Sequence, residues 1–194
     1  KGVLNSLNIF PVPDGDTGSN MLNTVTSALT AFESAEDLRS LYTALIEKSL
    51  WGARGNSGVI LANFIKGFFG CLRDSAETDI PEALIAEALR AGCREAYRST
   101  PDPVEGTILT AMRAAAETAE RPNSSGPVSM AEFVSALTES CREAVRNTTD
   151  QLEILTAAGI VDAGACGFYY ILESLLRFMN KEELGFSAKK EGYI

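Results

Sequence analysis

Two aspartates near the amino end of the chain are spaced to share a metal ion. Asp14 and Asp16 flank a single glycine, and small or polar residues follow them. Because Gly15 has no Cβ, the backbone can turn tightly enough to bring both carboxylates onto one small, hard cation such as Mg²⁺. The residue types therefore indicate a magnesium site.

This segment has two alternative interpretations. An Asp-Gly pair is also a common turn signal, in which both carboxylates would face solvent. A calcium-binding EF-hand loop counted from Asp14 would need Gly at its sixth position and Glu at its twelfth. The residues there are Ser19 and Val25, which excludes the EF-hand and leaves the turn and the metal site open.

A helix that starts directly after the aspartates would add an anion site. Thr17, Ser19 and Asn20 are all suitable N-caps for a helix whose apolar residues recur at heptad-like spacing between residues 22 and 32. A helix N-terminus offers free N–H donors and the positive end of the helix dipole. Metal ligands beside such a terminus suggest a magnesium-bound nucleotide.

A glycine-rich segment, residues 52–58, opens a second strongly apolar helix. Its three glycines would let backbone N–H groups approach an anion closely, as in phosphate-binding loops. A tight turn between two helices explains the same residues equally well. Arg54, within this segment, could neutralise a phosphoryl group or form a structural ion pair.

Two later segments have a similar arrangement. Gly106 and Thr107 follow two prolines and open a helix, and Asp162 precedes the last long helix. Each segment could contact a nucleotide, but each polar side chain could also simply cap its helix. Both interpretations stay open on the residues alone.

The composition excludes several classes of protein. A net charge of −9 and a pI near 4.6 are unsuited to a nucleic-acid surface. The absence of histidine excludes Ser-His-Asp and Cys-His catalysis and His-ligated zinc. The four cysteines are far apart, without a Cys-x-x-Cys pair, which predicts reduced core thiols of a cytoplasmic protein. The longest apolar run is too short to span a bilayer, so we do not expect an integral membrane protein.

Apolar residues recur at the helical period from end to end, without the alternation typical of strands, and we predict an all-α fold of about eight helices. The fourth long helix is predicted to begin at 79–82 and the sixth at the capping box of Ser129 and Glu132, with a loop over 121–127 before it. Gly159 is predicted to stop a short helix in the left-handed conformation.

Residues 1–180 are expected to form one domain, cut from a longer protein, with 181–194 as a tail toward a domain absent from this chain.

Together, the four segments resemble the motifs of the DhaL-like nucleotide-binding domain that dihydroxyacetone kinases share with the bacterial fatty acid kinase catalytic subunit. They occupy residues 5–21, 52–61, 103–110 and 157–167. The Phe-Pro-Val-Pro form of the first motif and the Gly-Ala-Arg-Gly-Asn-Ser-Gly-Val-Ile-Leu form of the second are most similar to the fatty acid kinase branch. The resemblance implies an eight-helix antiparallel up-and-down barrel with a nucleotide site at one end.

The resemblance also implies the ligands and the residues of the site. ATP or ADP would bind with Mg²⁺, of which we expect two ions. Asp14 and Asp16 would be the catalytic metal ligands, and Asn8 would be a third ligand where other members have an Asp nearby. The nucleotide contacts carried over are Thr17, Ser19, Asn20, Met21, Asn56, Ser57, Gly58, Gly106, Thr107, Asp162 and Gly164. Ala165 and Cys166 depart from the usual Asp-Ala-Gly-Gly-Gln-Gly pattern.

The activity implied by the resemblance is transfer of the ATP γ-phosphoryl group to a fatty acid carboxylate, as in phospholipid synthesis. The fatty acid would be presented by a DegV-like carrier protein. Thr17 stands where dihydroxyacetone kinases commonly have His, which favours an acceptor other than a sugar. A dihydroxyacetone-kinase-like subunit and a non-catalytic ADP/ATP sensor remain as alternatives, and a homodimer would use regions outside this chain.

Overall fold

The computed structural model describes residues 1–75, 80–121 and 129–182. Regular structure in these ranges is entirely helical, so the predicted all-α fold is confirmed. The helices are α1 (Gly2–Leu7), α2 (Thr17–Leu29), α3 (Leu38–Gly52), α4 (Gly55–Asp74), α5 (Glu82–Arg98), α6 (Ile108–Ala119), α7 (Met130–Gln151), α8 (Glu153–Ala158) and α9 (Ala163–Met179). A 3-10 turn over Thr30–Glu33 follows α2.

The described part of the chain has nine α-helices where about eight were expected. Two of them, α1 and α8, have only six residues. Leu152 separates α8 from α7 because its backbone is extended, with φ −121° and ψ 121°. The exact eight-helix barrel therefore stays a prediction.

The long helices alternate in direction. The first residues of α2, α4, α6 and α9 all line one cavity, so these four helices begin at the same end of the fold. The residues that follow α5 line the same cavity, and the end of α7 lies against Gly106. Each helix packs on the next from α2 to α7, α7 packs on α9, and α9 contacts α1 and α2. This up-and-down order places four helix N-termini together.

Apolar side chains from α1, α2, α4, α5, α6, α7 and α9 form the main core. Phe64 of α4 and Phe168 of α9 meet there edge to face, with ring centroids 5.0 Å apart. A smaller cluster lies between α2, α3, α4 and α5, where Tyr42 stacks on Phe69. The core binds the helices into one body and so fixes the cavity at their N-terminal ends.

Several predicted helix ends are confirmed. Ser129 and Glu132 form a capping box at α7, and Gly159 ends α8 in the left-handed conformation with φ 66°. Helix α5 begins at Glu82, directly after Pro81. Residue 79 of its predicted start, residues 122–127 of the predicted loop and residues 183–194 of the predicted tail lie outside the described residues.

Two further sequence expectations concern cysteines and membranes. Cys141 and Cys166 are buried, Cys71 and Cys93 are half-buried, and none of the four forms a disulfide. Among the described helices, none combines the length and apolar character needed to cross a bilayer.

Candidate functional site

Four helix N-termini converge on a cavity of about 670 Å³. Each of the four sequence motifs contributes lining residues at the start of one helix: Asp16 and Thr17 for α2, Gly55, Asn56 and Ser57 for α4, Thr107, Ile108 and Leu109 for α6, and Asp162 and Gly164 for α9. A helix N-terminus leaves backbone N–H groups without intrahelical partners and carries partial positive charge. Four of them around one cavity place partial positive charge on its wall, which favours an anion there.

The two motif aspartates lie in the loop that enters α2. Gly15 between them has φ +65°, which a residue with a side chain rarely adopts. Asp14 is exposed and Asp16 half-buried, and both line the cavity. Within the described residues, neither carboxylate has a hydrogen-bond or salt-bridge partner. Both are therefore free to ligate a cation.

Asn8 is the residue that holds this loop. Its buried Oδ1 accepts hydrogen bonds from the backbone N–H groups of Asp16 and Thr17, both at 3.0 Å, and its Nδ2 donates to the carbonyl of Val12 at 3.1 Å. The prediction that Thr17, Ser19 or Asn20 caps α2 is wrong, because Asp16 occupies the N-cap position and Asn8 supplies the acceptor. Asn8 lines the cavity, but ligation of a metal through Oδ1 would compete with these two bonds.

The next predicted residues of α2 lie behind the cavity rather than on its wall. Ser19 bonds to Asn5, with its Oγ accepting from Nδ2 at 3.0 Å and its N–H donating to Oδ1 at 3.1 Å. The buried Asn20 amide lies against Gly55, and Met21 packs against Gly167 of α9. These three side chains join α2 to α1, α4 and α9.

The second motif divides between the cavity and the core. Asn56 is exposed and Ser57 half-buried, both line the cavity, and their side chains have no partner within the described residues. Gly58 is buried against α2, where Thr24 Oγ1 lies 2.9 Å from the position a Cβ would occupy. Arg54 lies outside the cavity lining and donates to the carbonyls of Trp51 and Ala53 at 3.0 and 2.7 Å.

In the third motif, the predicted capping role of Thr107 is confirmed. Its Oγ1 accepts from the N–H of Leu109 at 3.3 Å and donates to the carbonyl of Val104 at 2.7 Å. Thr107 also lines the cavity. Gly106 does not line it, and its N–H donates to Thr110 Oγ1 at 2.8 Å.

In the fourth motif, Asp162 caps α9, as the alternative interpretation predicted. Its Oδ2 accepts from the N–H of Ala165 at 2.7 Å, and the side chain is buried, with only 6% of the residue exposed. Burial raises the pKa of Asp162 to about 6, against the opposing effect of backbone hydrogen bonds from Ala165, Gly164 and Ile108. Gly164 lies where a Cβ would come within 3.1 Å of the Ile108 Cβ. The absence of a side chain there keeps α6 and α9 close.

The loop between α5 and α6 is the part of the site that sequence reasoning missed. Ser99, Thr100, Pro101, Asp102 and Val104 all line the cavity. The prolines around Asp102 were a usable signal, since a Pro-Asp-Pro segment directly before a motif holds its backbone in a restricted conformation.

The lining includes both apolar and acidic side chains. Apolar side chains form part of the wall, namely Phe10, Pro11, Val12, Val59, Ile60, Ile108 and Leu109. The described lining residues include four aspartates and neither lysine nor arginine. A phosphate-bearing ligand would therefore need a cation to offset the negative charge of this wall.

The donor set fits a magnesium ion that a ligand helps to hold. Within 1–75, 80–121 and 129–182, no group of three or more acidic or cysteine side chains is placed to hold a metal by itself. Magnesium is commonly bound by one or two carboxylates, with water and substrate phosphates completing the shell. Asp14 and Asp16 match that arrangement.

The cavity brings together Asn8, Asp14, Asp16, Thr17, Asn56, Ser57, Thr107, Asp162 and Gly164 of the predicted site residues. Ser19, Asn20, Met21, Gly58 and Gly106 lie outside its lining. Contact of any of these residues with a nucleotide or a metal stays a prediction.

Comparison with known proteins identifies the family of the chain. A model of the DAK2 domain matches residues 11–177. Proteins of Staphylococcus aureus strains USA300, NCTC 8325 and N315, each named only as uncharacterized, are 37% identical over 186 residues, which is 94% of this chain and 33% of theirs. The chain thus spans about a third of the length of these relatives. It belongs to the DAK2 domain family, within the dihydroxyacetone kinase superfamily.

Proposed function

We propose that this domain binds Mg·ATP in the cavity and takes part in transfer of the γ-phosphoryl group. The observation that carries the proposal is the convergence of four helix N-termini beside two unpartnered carboxylates. Membership of a kinase superfamily supports it. Phosphoryl transfer depends mainly on positioning and charge stabilisation, which such a site can supply without histidine.

Different groups of the chain would contact different parts of the nucleotide. The start of α4, where the N-cap residue makes no side-chain hydrogen bond, would bind phosphate oxygens through backbone N–H groups, helped by the unpartnered side chains of Asn56 and Ser57. The starts of α2, α6 and α9, which already donate N–H groups to Asn8, Thr107 and Asp162, would contribute through their helix dipoles. The apolar part of the wall would pack against the base. Ser19, Asn20, Met21, Gly58 and Gly106 would keep the helix starts in place from behind.

A divalent cation is the remaining requirement. Because the described lining carries four aspartates and no cationic side chain, a triphosphate would meet net repulsion there. Asp14 and Asp16 would hold Mg²⁺, which supplies charge neutralisation on the phosphates. Nucleotide binding should therefore depend on the metal.

For the acceptor, we propose a fatty acid carboxylate presented by a DegV-like carrier protein. The Phe-Pro-Val-Pro segment at 10–13 and Thr17 in place of His support the fatty acid kinase branch. A dihydroxyacetone-kinase-like nucleotide-binding subunit is the second candidate, because the matching DAK2 domain family belongs to the dihydroxyacetone kinase superfamily. The relatives are about three times as long as this chain, so acceptor and carrier belong to the whole protein.

Calorimetric titration of the chain with a non-hydrolysable ATP analogue, with and without Mg²⁺, tests the nucleotide site. Asp14→Asn and Asp16→Asn should weaken Mg-dependent binding by at least about tenfold each. Asp150→Asn is the matched control, since Asp150 is an exposed aspartate on α7 outside the cavity. Full affinity in both loop variants would refute the proposal.

Incubation of the full-length protein with Mg·ATP and either acyl-loaded carrier or dihydroxyacetone with its sugar-binding partner then tests the acceptor. Hydroxylamine trapping of an acyl phosphate supports the first candidate, and dihydroxyacetone phosphate supports the second. Tight nucleotide binding without transfer to either acceptor would contradict both and identify a nucleotide sensor.

A further inference from the structure

The loop over residues 99–107 forms a wall of the cavity with little support of its own. Six of its nine residues line the cavity. Its first two residues are tied to α5, where the hydroxyls of Ser99 and Thr100 donate to the carbonyl of Ala96 at 2.8 and 3.1 Å. Across residues 101–104 the described hydrogen bonds include only one, from Thr107 to the carbonyl of Val104. The far end of the loop must be held in another way.

Glu105 provides that support. One carboxylate oxygen, Oε1, accepts from the Tyr97 hydroxyl of α5 at 2.7 Å. The other, Oε2, accepts from Thr110 Oγ1 at 2.5 Å and from Arg113 Nη2 at 2.9 Å, both on α6. A single side chain of the loop is thus hydrogen-bonded to the helix before the loop and to the helix after it. Glu105 itself is absent from the cavity lining.

The bond to Thr110 extends this support into the backbone. The buried Thr110 hydroxyl donates to Glu105 and accepts from the N–H of Gly106 at 2.8 Å. Because the Thr110 hydroxyl donates its hydrogen bond to Glu105, a lone pair on the hydroxyl oxygen remains to accept from Gly106. Gly106 has φ +81° and directly precedes Thr107, which caps α6 and lines the cavity. The Glu105 carboxylate therefore fixes the backbone conformation at Gly106 and, with it, the position of Thr107.

The charges around Glu105 favour its ionised form. The pKa of Glu105 is lowered, because hydrogen bonds from Thr110, Arg113 and Tyr97 outweigh its desolvation. Arg113 also pairs with Glu117 at 2.8 Å, which keeps the guanidinium in place. Charge-assisted hydrogen bonds are stronger than neutral ones, so the arrangement is well suited to hold a loop.

We propose that Glu105 is a positioning residue of the nucleotide cavity, which fixes the wall over residues 99–107 through Tyr97, Thr110 and Arg113 without contacting the ligand. The inference rests on the proposed nucleotide function. It differs from the metal and phosphate assignments, because every group involved lies behind the wall. It also separates Glu105 from the aspartates of the site, which face the cavity.

The test measures the affinity of the chain for a non-hydrolysable Mg·ATP analogue, hydrogen exchange of amides 101–107, and Tm. Glu105→Ala should weaken binding about tenfold and speed exchange in the loop, since one carboxylate makes three hydrogen bonds there. Glu105→Gln should lose less, because its amide oxygen can still accept from Thr110. Tyr97→Phe removes one bond and should give a smaller effect of the same kind.

Glu139→Ala is the matched control. Glu139 is also half-exposed and paired with one arginine, Arg142 at 2.6 Å, but it lies on α7 away from the cavity. Its substitution should change neither affinity nor loop exchange.

Two results would overturn the inference. The first is unchanged affinity and unchanged loop exchange in Glu105→Ala. The second is an equal loss in Glu105→Gln with faster exchange throughout α5 and α6, which would indicate a merely structural role. The exchange measurement needs no nucleotide, so a wild-type chain that fails to bind the analogue refutes the proposed function while loop exchange still decides the role of Glu105.

Discussion

Asn8 and Asp16 are joined by a hydrogen bond in which the side-chain oxygen of Asn8 accepts the backbone N–H of Asp16 at 3.0 Å. The same oxygen accepts the N–H of Thr17. The acidic loop is thereby closed onto the start of α2, so one amide side chain both caps a helix and presents the two carboxylates to the cavity.

Replacement of Asn8 should destabilise the fold, because its side chain accepts two backbone hydrogen bonds at the start of α2. Asn8→Ala leaves two backbone N–H groups without their acceptor and should lower the free energy of unfolding by about 2–3 kcal/mol. Asn8→Asp keeps an acceptor and should lose less. Urea denaturation measures both, with Asn147→Ala on the exposed face of α7 as a control expected to stay within about 0.5 kcal/mol. An Asn8→Ala variant as stable as that control would contradict the capping role.

Removal of the metal should abolish most nucleotide affinity. The described cavity lining has no lysine or arginine to offset four aspartates, so the metal is the main source of positive charge at the site. Titration of a fluorescent ATP analogue in EDTA should give a Kd raised at least about tenfold over that in Mg²⁺. Equal affinity in the two buffers would show that helix N-termini alone suffice.

The buried carboxyl of Asp162 should make stability depend on pH. Its pKa is raised from 3.8 to about 6 by burial. Between these values the folded state keeps the proton that the unfolded state has lost, so the stability from this group falls as pH rises toward 6 and is constant above it. Asp162→Asn keeps a capping oxygen and cannot ionise.

The Asp162→Asn variant allows the contribution of this carboxyl to the pH dependence of stability to be measured. The stability of Asp162→Asn relative to the wild type should rise by roughly 2–3 kcal/mol between pH 4 and pH 7, with most of the rise below pH 6. Urea denaturation at pH 4, 5, 6 and 7 measures the difference. A difference that is constant across this range would refute the raised pKa.

Two glycines of α4 should respond oppositely to alanine. A Cβ at Gly67 would collide with the backbone carbonyl of Ala91 on α5, whereas a Cβ at Gly70 has nothing within 4 Å. Gly67→Ala should cost about 1–3 kcal/mol through overpacking, and Gly70→Ala should gain about 0.5–1 kcal/mol through helix propensity. Thermal unfolding of the pair tests the close α4–α5 contact, and equal shifts in Tm would contradict it.

Local features could be predicted because their causes lie within one helical turn. Thr107, Ser129 and Asp162 each bond to a backbone N–H two or three residues ahead, and Gly159 ends its helix through its own φ. Such contacts depend on residues that are close together in the sequence, so the sequence predicts them. The cap of α2 was predicted wrongly because its acceptor, Asn8, lies eight residues before Asp16 in the chain.

The sequence by itself determined that the chain is helical, where several helices start, and that two aspartates precede one of those starts, since periodicity and spacing depend on residue order alone. Only the tertiary structure decided which residues face the cavity. Ser19, Asn20, Met21 and Gly58 stand in the same motifs as Thr17 and Ser57, yet the packing of α2 on α1, α4 and α9 turns them away. The physical reason is that helix packing selects the exposed side of each helix start, and packing partners lie far apart in the chain.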